Sequence, residues 1–163
     1  MEYGKLSAGL ISALHTLEND GRQEVTLKEE IEVLERYLEI ERIRFEDRLR
    51  VTLEVEPETL SARVPNFALQ PLVENAIRHG IAPRAEGGKV QLSATRHDDM
   101  LSIVLRDDGP GLQPAGTPRR EGIGVSNTRA RLEQLYGHAH RFEMKNAPEG
   151  GLVVTMSVPY RTE

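Results

Sequence analysis

The sequence contains no cysteine, which excludes disulfide staples and thiolate metal sites. No apolar run approaches the ~18 residues of a membrane-spanning helix, and the N-terminus lacks the charged and apolar regions of a secretory signal. The expectation is a soluble, intracellular segment. Positive charge is not in excess either, because 21 Lys and Arg stand against 26 Asp and Glu, for a formal net charge of -5. Affinity for nucleic acids comes mostly from clustered Lys and Arg, so no nucleic-acid surface is expected. An anionic ligand would need a local positive site. No internal repeat and no low-complexity tract is present.

What is present is an ordinary globular composition in 163 residues, long enough for one well-buried domain with a small helical appendage. Leu6, Leu10, Leu14 and Leu17 recur at helical spacing and stop at Asn19-Asp20-Gly21. Thr26 with Glu29 three residues later is a capping-box signature, and Leu27, Ile31, Leu34 and Leu38 follow on one stripe, predicting a helix from about Leu27 to Phe45. Its other faces carry Glu29, Glu30, Glu32, Glu35, Arg36, Glu39, Glu41, Arg42 and Arg44, the pattern of a solvated surface. The apolar stripe has the domain, a partner helix, or both as its cover.

Alternation predicts strands over Arg48 to Glu56, Lys89 to His97, Met100 to Arg106, Arg141 to Asn146 and Leu152 to Pro159. Asp98-Asp99 reads as a tight hairpin turn. Leu69, Leu72, Val73, Ala76 and Ile77 form a helical stripe ending at Gly80, with Pro71 in the first turn. A last helix runs from Val125 through Leu135 and Tyr136 to a glycine stop at Gly137. This order suggests a two-layer α/β sandwich: one mixed sheet with helices on one face, preceded by a helical segment.

The stretch from Asp107 to Gly124 organises the rest. Gly109, Gly111, Gly116, Gly122 and Gly124 flank a polar segment with few apolar residues, the composition of a mobile lid between glycine hinges. Gly122 to Gly124 opens a helix, and free N–H groups at a helix start suit a phosphate. On the earlier helix Asn75, Arg78 and His79 stand at i, i+3 and i+4, hence on one face. Asn75 offers a neutral oxygen of the kind Mg²⁺ takes alongside phosphate oxygens. Arg78 offers a fixed cation and His79 a donor for phosphate or ribose. Asp107, at the end of a strand, can accept from an exocyclic amino group such as that of adenine. His138-x-His140 supplies two metal-type ligands without a third.

These residues also carry a resemblance. Leu69-Gln70-Pro71-Leu72-Val73-Glu74-Asn75-Ala76-Ile77-Arg78-His79-Gly80 resembles the N box of the GHKL ATP-binding superfamily. Asp107-Asp108-Gly109-Pro110-Gly111 resembles its G1 box, and Gly122-Ile123-Gly124-Val125-Ser126-Asn127 with Arg131-Leu132 its G2 box. With Arg36 to Glu41 and Arg44-Phe45, the run is similar to LytS-type sensor histidine kinases over roughly Val25 to Pro159. The resemblance implies the Bergerat fold, with residues 47–163 as the ATP-binding catalytic domain and 1–46 as a remnant of the dimerisation and phosphotransfer helices. It implies ATP with Mg²⁺ held through Asn75, and Arg78 and His79 beside the ribose and phosphates. Asp107 would sit on the adenine amino group, Gly109 and Gly111 would shape the base pocket, and Gly122, Ile123, Gly124 and Val125 would meet the phosphates. It further implies transfer of the γ-phosphoryl group to a histidine of a dimerisation domain, then to a response regulator, within a homodimeric, membrane-anchored parent protein.

The chain departs from the family pattern in several places. Arg78 replaces the usual Lys, Asp108 replaces the usual Asn and adds a negative charge near the pocket, and Leu152 follows Gly151 where Thr is common. The phosphoacceptor motif His-Phe-x-Phe-Asn is missing, and His15 lacks its flanking aromatics, so no catalytic side chain is assigned within this chain. Position 71, where the ATP-hydrolysing relatives place a Glu base, is Pro71, and Glu74 should point about 100° away from Asn75 on an ideal helix. ATP hydrolysis and a degenerate nucleotide-binding or dimerisation module are the alternatives to kinase chemistry.

Overall fold

The computed structural model describes residues 23–111 and 123–163. The leucine-spaced segment, His15 and the body of the expected lid lie outside those residues. A short strand β1 (Glu24–Thr26) leads into helix α1 (Leu27–Phe45), where the Glu29 amide donates to Thr26 Oγ1 at 3.1 Å, the expected N-cap. Strand β2 (Leu49–Val55) follows, then β3 (Arg63–Pro65), α2 (Leu69–Ala76), β4 (Gly88–His97) and β5 (Met100–Asp107). The chain ends with α3 (Ile123–Tyr136), β6 (Arg141–Asn146) and β7 (Leu152–Pro159).

Five strands form one sheet in the order β2-β4-β5-β7-β6, with β2 parallel to β4 and the other pairs antiparallel. The mixed sheet read from the sequence is therefore present. Its rows are regular: Leu92 stands opposite Leu105, which stands opposite Val154, and Ala94, Ile103 and Met156 form the next row. All six are buried in the same core as Leu72, Val73 and Ala76 of α2, while Ser93, Ser102 and Thr155 on the alternate positions are half-exposed. One sheet face thus carries the helix layer and the other is polar.

The stripe Leu27, Ile31, Leu34 and Leu38 joins this same core, so its cover is the domain itself. Fully burying each leucine stabilises the fold by roughly 1.5–3 kcal/mol. The opposite surface of α1 is not uniformly solvated. Glu30 and Glu41, expected on the solvent side, are 3% and 1% exposed. Two further features were not anticipated. β1 pairs antiparallel with β3 as a separate two-stranded ribbon, three residues a side. The helix expected to stop at Gly80 instead passes from α2 into a wide π-type turn over Ile77–Ile81, with Gly80 inside it. Elsewhere the hairpin at Asp98-Asp99 and the glycine stop at Gly137, with φ of +54°, are as expected.

Candidate functional site

Asp107 is the last residue of β5, and alternation with Leu101, Ile103 and Leu105 turns it toward the helix layer. It is a carboxylate at the end of an apolar row, buried to 4% exposure. Its Oδ1 accepts the Gly109 amide at 2.9 Å and the Leu152 amide at 3.4 Å. Glycines close the walls around it. A Cβ at Gly80 would lie 3.0 Å from Asp107 Cγ and Oδ1, and one at Gly109 would lie 2.5 Å from Gly80 Cα. One at Gly151, where φ is +90°, would meet the Asp107 carbonyl oxygen at 1.9 Å. The backbone can approach this closely only without side chains.

The same helical run that brings Gly80 to Asp107 carries Arg78 two residues and Asn75 five residues earlier. They border a cavity of about 430 Å³ with Phe67, Pro71, Glu74, Gly124 and Val125. Asn75, Arg78, Gly124 and Val125 are thus gathered at one cavity, Asp107 and Gly109 meet Gly80 in the turn that follows α2, and Gly111 lies against Asn146 and Gly151. His79 is half-buried and is not part of the cavity wall. Ile123 is the first residue of α3, and Gly122 lies outside the described residues. Pro71 lines the cavity at the position of the hydrolytic base, and a Cβ at Gly124 would lie 2.8 Å from Pro71 Cβ, so the two walls meet there. Glu74, read as standing about 100° round the helix from Asn75, lines the same cavity, with its Oε1 2.9 Å from Arg78 Nη2.

Behind this pair lies a polar cluster invisible in the sequence. Tyr37 and Glu41 of α1 are buried against it, and Glu41 Oε1 has no hydrogen-bond partner. Burial pushes the Glu41 carboxyl above its usual range, Arg44 3.6 Å away opposes that, and Glu74 adds to it. The Tyr37 phenol is pushed well above its ordinary value, first by burial and then by Glu41 and Glu74.

Phe67, missed by sequence reading, stands where both ends of the site are anchored. It holds a left-handed backbone, φ +59°, uncommon for a bulky residue. The Glu30 carboxylate of α1 accepts the amides of Phe67, Ala68 and Leu69 at 2.6, 3.0 and 3.3 Å, satisfying the open N-terminus of α2. Arg131 of α3 donates to the carbonyls of Asn66 and Gln23. The negative charge added by Asp108 is balanced as well, because Arg84 Nη2 donates to its Oδ1 at 2.7 Å. Among the described residues no group of three or more His, Cys, Asp or Glu could hold a metal ion, so His138 and His140 form no such site there.

The five-stranded mixed sheet with its helix layer and the cavity between α2 and α3 make a two-layer α/β sandwich with a site on its helix side. The family model of histidine kinase-, DNA gyrase B- and HSP90-like ATPases matches residues 62–162, more than half the chain, and the protein belongs to that family. A histidine kinase model matches residues 5–49. The sensor histidine kinase BtsS of Escherichia coli is 34% identical over 139 residues, covering 85% of this chain and 24% of that protein. YesM of Bacillus subtilis is 30% identical over 141 residues, with the same coverages, and the sensor protein LytS of Oceanobacillus iheyensis is 33% identical over 149 residues, covering 84% and 25%. The chain therefore spans about a quarter of the length of these relatives. Solved structures share the fold. The catalytic domain of histidine kinase ThkA superposes with a TM-score of 0.64 at 21% identity, covering 83% of this chain and 94% of that one. The histidine kinase domain of a blue-light activated kinase from Erythrobacter litoralis gives 0.61 at 21% identity, covering 83% and 61%. No helix of the described residues is long and apolar enough to cross a membrane.

Proposed function

We propose that this chain binds ATP with Mg²⁺ and forms the ATP-binding catalytic part of a sensor histidine kinase, presenting the γ-phosphoryl group to a histidine outside the chain. The observation that carries this reading is the glycine-walled carboxylate of Asp107, an acceptor for an adenine amino group, at one end of the helix whose other turns bring Asn75 and Arg78 to the 430 Å³ cavity. In this reading residues 47–163 form the catalytic domain, and 1–46 belong to the helical region that continues to the phosphoacceptor.

The donor set fits a nucleotide-borne Mg²⁺. Asn75 is buried at the cavity edge, its amide oxygen is a suitable neutral ligand, and phosphates and water supply the rest of such an ion's shell. The bound ion would neutralise charge developing on the transferred group. Arg78 adds a cation on the same side, His79 lies close by on the same turn, and the α3 N-terminus around Gly122 to Val125 offers N–H groups to the phosphates. Positioning and charge neutralisation carry most of phosphoryl transfer. Pro71 has no basic group, so water is not activated at that position. The phosphoryl group would then pass to an aspartate of a response regulator, and the parent protein would be a membrane-anchored homodimer.

A hydrolytic reading draws support from Glu74 alone, because its carboxylate reaches the cavity. Its partnership with Arg78 speaks for charge balance. Calorimetric titration of ATP with Mg²⁺ into the chain tests the main reading, with binding expected to vanish in Asp107→Asn and Asn75→Ala. Undiminished binding in both variants would refute it. ATP turnover without acceptor that disappears in Glu74→Gln would establish hydrolysis instead.

A further inference from the structure

We propose that Arg84 and Asp108 act together as positioning residues that hold the base-recognition carboxylate of Asp107 in register, and so set the preference for adenine over other bases. The inference rests on the reading that a nucleotide places its base against Asp107.

Two segments far apart in sequence meet beside the Asp107 carboxylate. One is the wide turn Ile77–Ile81 with Gly80, and the other is the turn after β5 with Gly109. They touch through bare backbone, since a Cβ on Gly109 would sit 2.5 Å from Gly80 Cα. Two glycines in contact gain little attraction of their own, so the contact needs an external fastening. The Arg84 guanidinium supplies it: Nε donates to the Gly80 carbonyl at 3.0 Å and Nη2 to Asp108 Oδ1 at 2.7 Å. Asp108 Oδ1 also accepts the Lys89 amide at 2.9 Å, which fixes the turn to β4.

Arg84 is itself held from behind. Its carbonyl accepts Arg48 Nη2 at 2.8 Å and the Gly87 amide at 3.0 Å. Glu86 lies 3.9 Å from Nη1 but is largely exposed, so it competes weakly. A planar, two-pronged donor is required, because one side chain must reach a carbonyl and a carboxylate at once; an ammonium on a flexible stem reaches one. Neither residue reaches the Asp107 carboxylate by a hydrogen bond of its own. Both act through the two walls that bracket it, and displacement of such a wall by about 1 Å is enough to cost roughly a hundredfold in a positioned interaction.

The test measures binding of ADP and of inosine diphosphate, which lacks the exocyclic amino group, by calorimetry with Mg²⁺, alongside thermal unfolding without nucleotide. Arg84→Ala and Asp108→Ala should each lower ADP affinity about tenfold and inosine diphosphate affinity much less, so the adenine preference shrinks. The double variant should be no worse than either single one, as expected for partners in one link. Asp108→Asn, which keeps an oxygen acceptor, should retain the preference within about twofold, and Arg84→Lys should lose part of it. A general packing role would lower the unfolding temperature and weaken both ligands equally. An unchanged preference in Arg84→Ala and Asp108→Ala overturns the inference; should those fail to fold, an unchanged preference in Arg84→Lys does so. Wild-type protein that binds ADP no better than Asp107→Asn overturns the underlying reading instead, which separates the two failures.

Discussion

Glu74 of α2 and Arg78 of the turn that follows it face each other, carboxylate to guanidinium at 2.9 Å, on the wall of the cavity that Asn75 also lines. The cation proposed for the phosphates is therefore already engaged by a carboxylate. An incoming phosphate competes with Glu74 for it, and Glu74 repels the phosphate in addition.

Removing that competition should strengthen nucleotide binding. Glu74→Gln is expected to raise MgADP affinity about twofold to fivefold, a small effect because the pair is partly exposed, while Arg78→Ala lowers it about tenfold. Titration calorimetry at low salt reads both, and weaker binding in Glu74→Gln would show that the carboxylate helps to hold the ligand.

A methyl group at position 80 should cost both binding and some stability. Alanine is favoured over glycine inside a helix, but the added Cβ must displace the buried Asp107 carboxyl, so Gly80→Ala should lower the unfolding temperature modestly. Its Cβ would press on the Asp107 carboxylate at 3.0 Å, and ADP affinity should fall about tenfold. Equal affinity in the variant would mean that Asp107 does not set the base site.

Glu30 should be a stability residue without contact to the ligand. Its carboxylate is buried and accepts three amides at the start of α2. Glu30→Ala should cost about 3 kcal/mol in urea unfolding and Glu30→Gln less, since the amide oxygen still accepts. A loss below about 0.5 kcal/mol in Glu30→Ala would mean that water replaces the carboxylate at no cost.

Glu41 should make stability fall as pH rises. Burial raises its carboxyl above the ordinary value of about 4.5 in the folded state, while the unfolded chain keeps that ordinary value. Between those two values the folded form binds the extra proton, so this contribution is full below about pH 4.5 and is lost as pH rises through the folded value. Glu41→Gln should therefore raise the unfolding temperature at pH 7 more than at pH 4. An equal shift at both values would show that the side chain ionises normally in the fold.

Much of this architecture was legible in the sequence because it rests on periodicity and punctuation. The alternation Leu101, Ile103, Leu105 placed β5 and put Asp107 at its end, and the cap at Thr26 set the start of α1. Long-range partnerships were not legible. Glu30 looks like any acid in a charged helical run until residues 67–69, nearly forty positions away, fold onto it. The ribbon of β1 and β3 is three residues a side, too short to show a period. The π-type turn that continues α2 has no compositional mark. The pairing of Asp108 with Arg84 likewise joins positions 24 apart, so the added charge was legible and the cation beside it was not.

The burial of α1 has a mechanical consequence. A slide of α1 by one turn, about 5.4 Å, would pull Leu27, Leu34 and Leu38 out of the core and withdraw Glu30 from the amides it holds. Force applied along this helix is thus resisted by the same groups that frame the Phe67 wall of the cavity. The helix and the cavity share one anchor, the Glu30 carboxylate on the Phe67 amide.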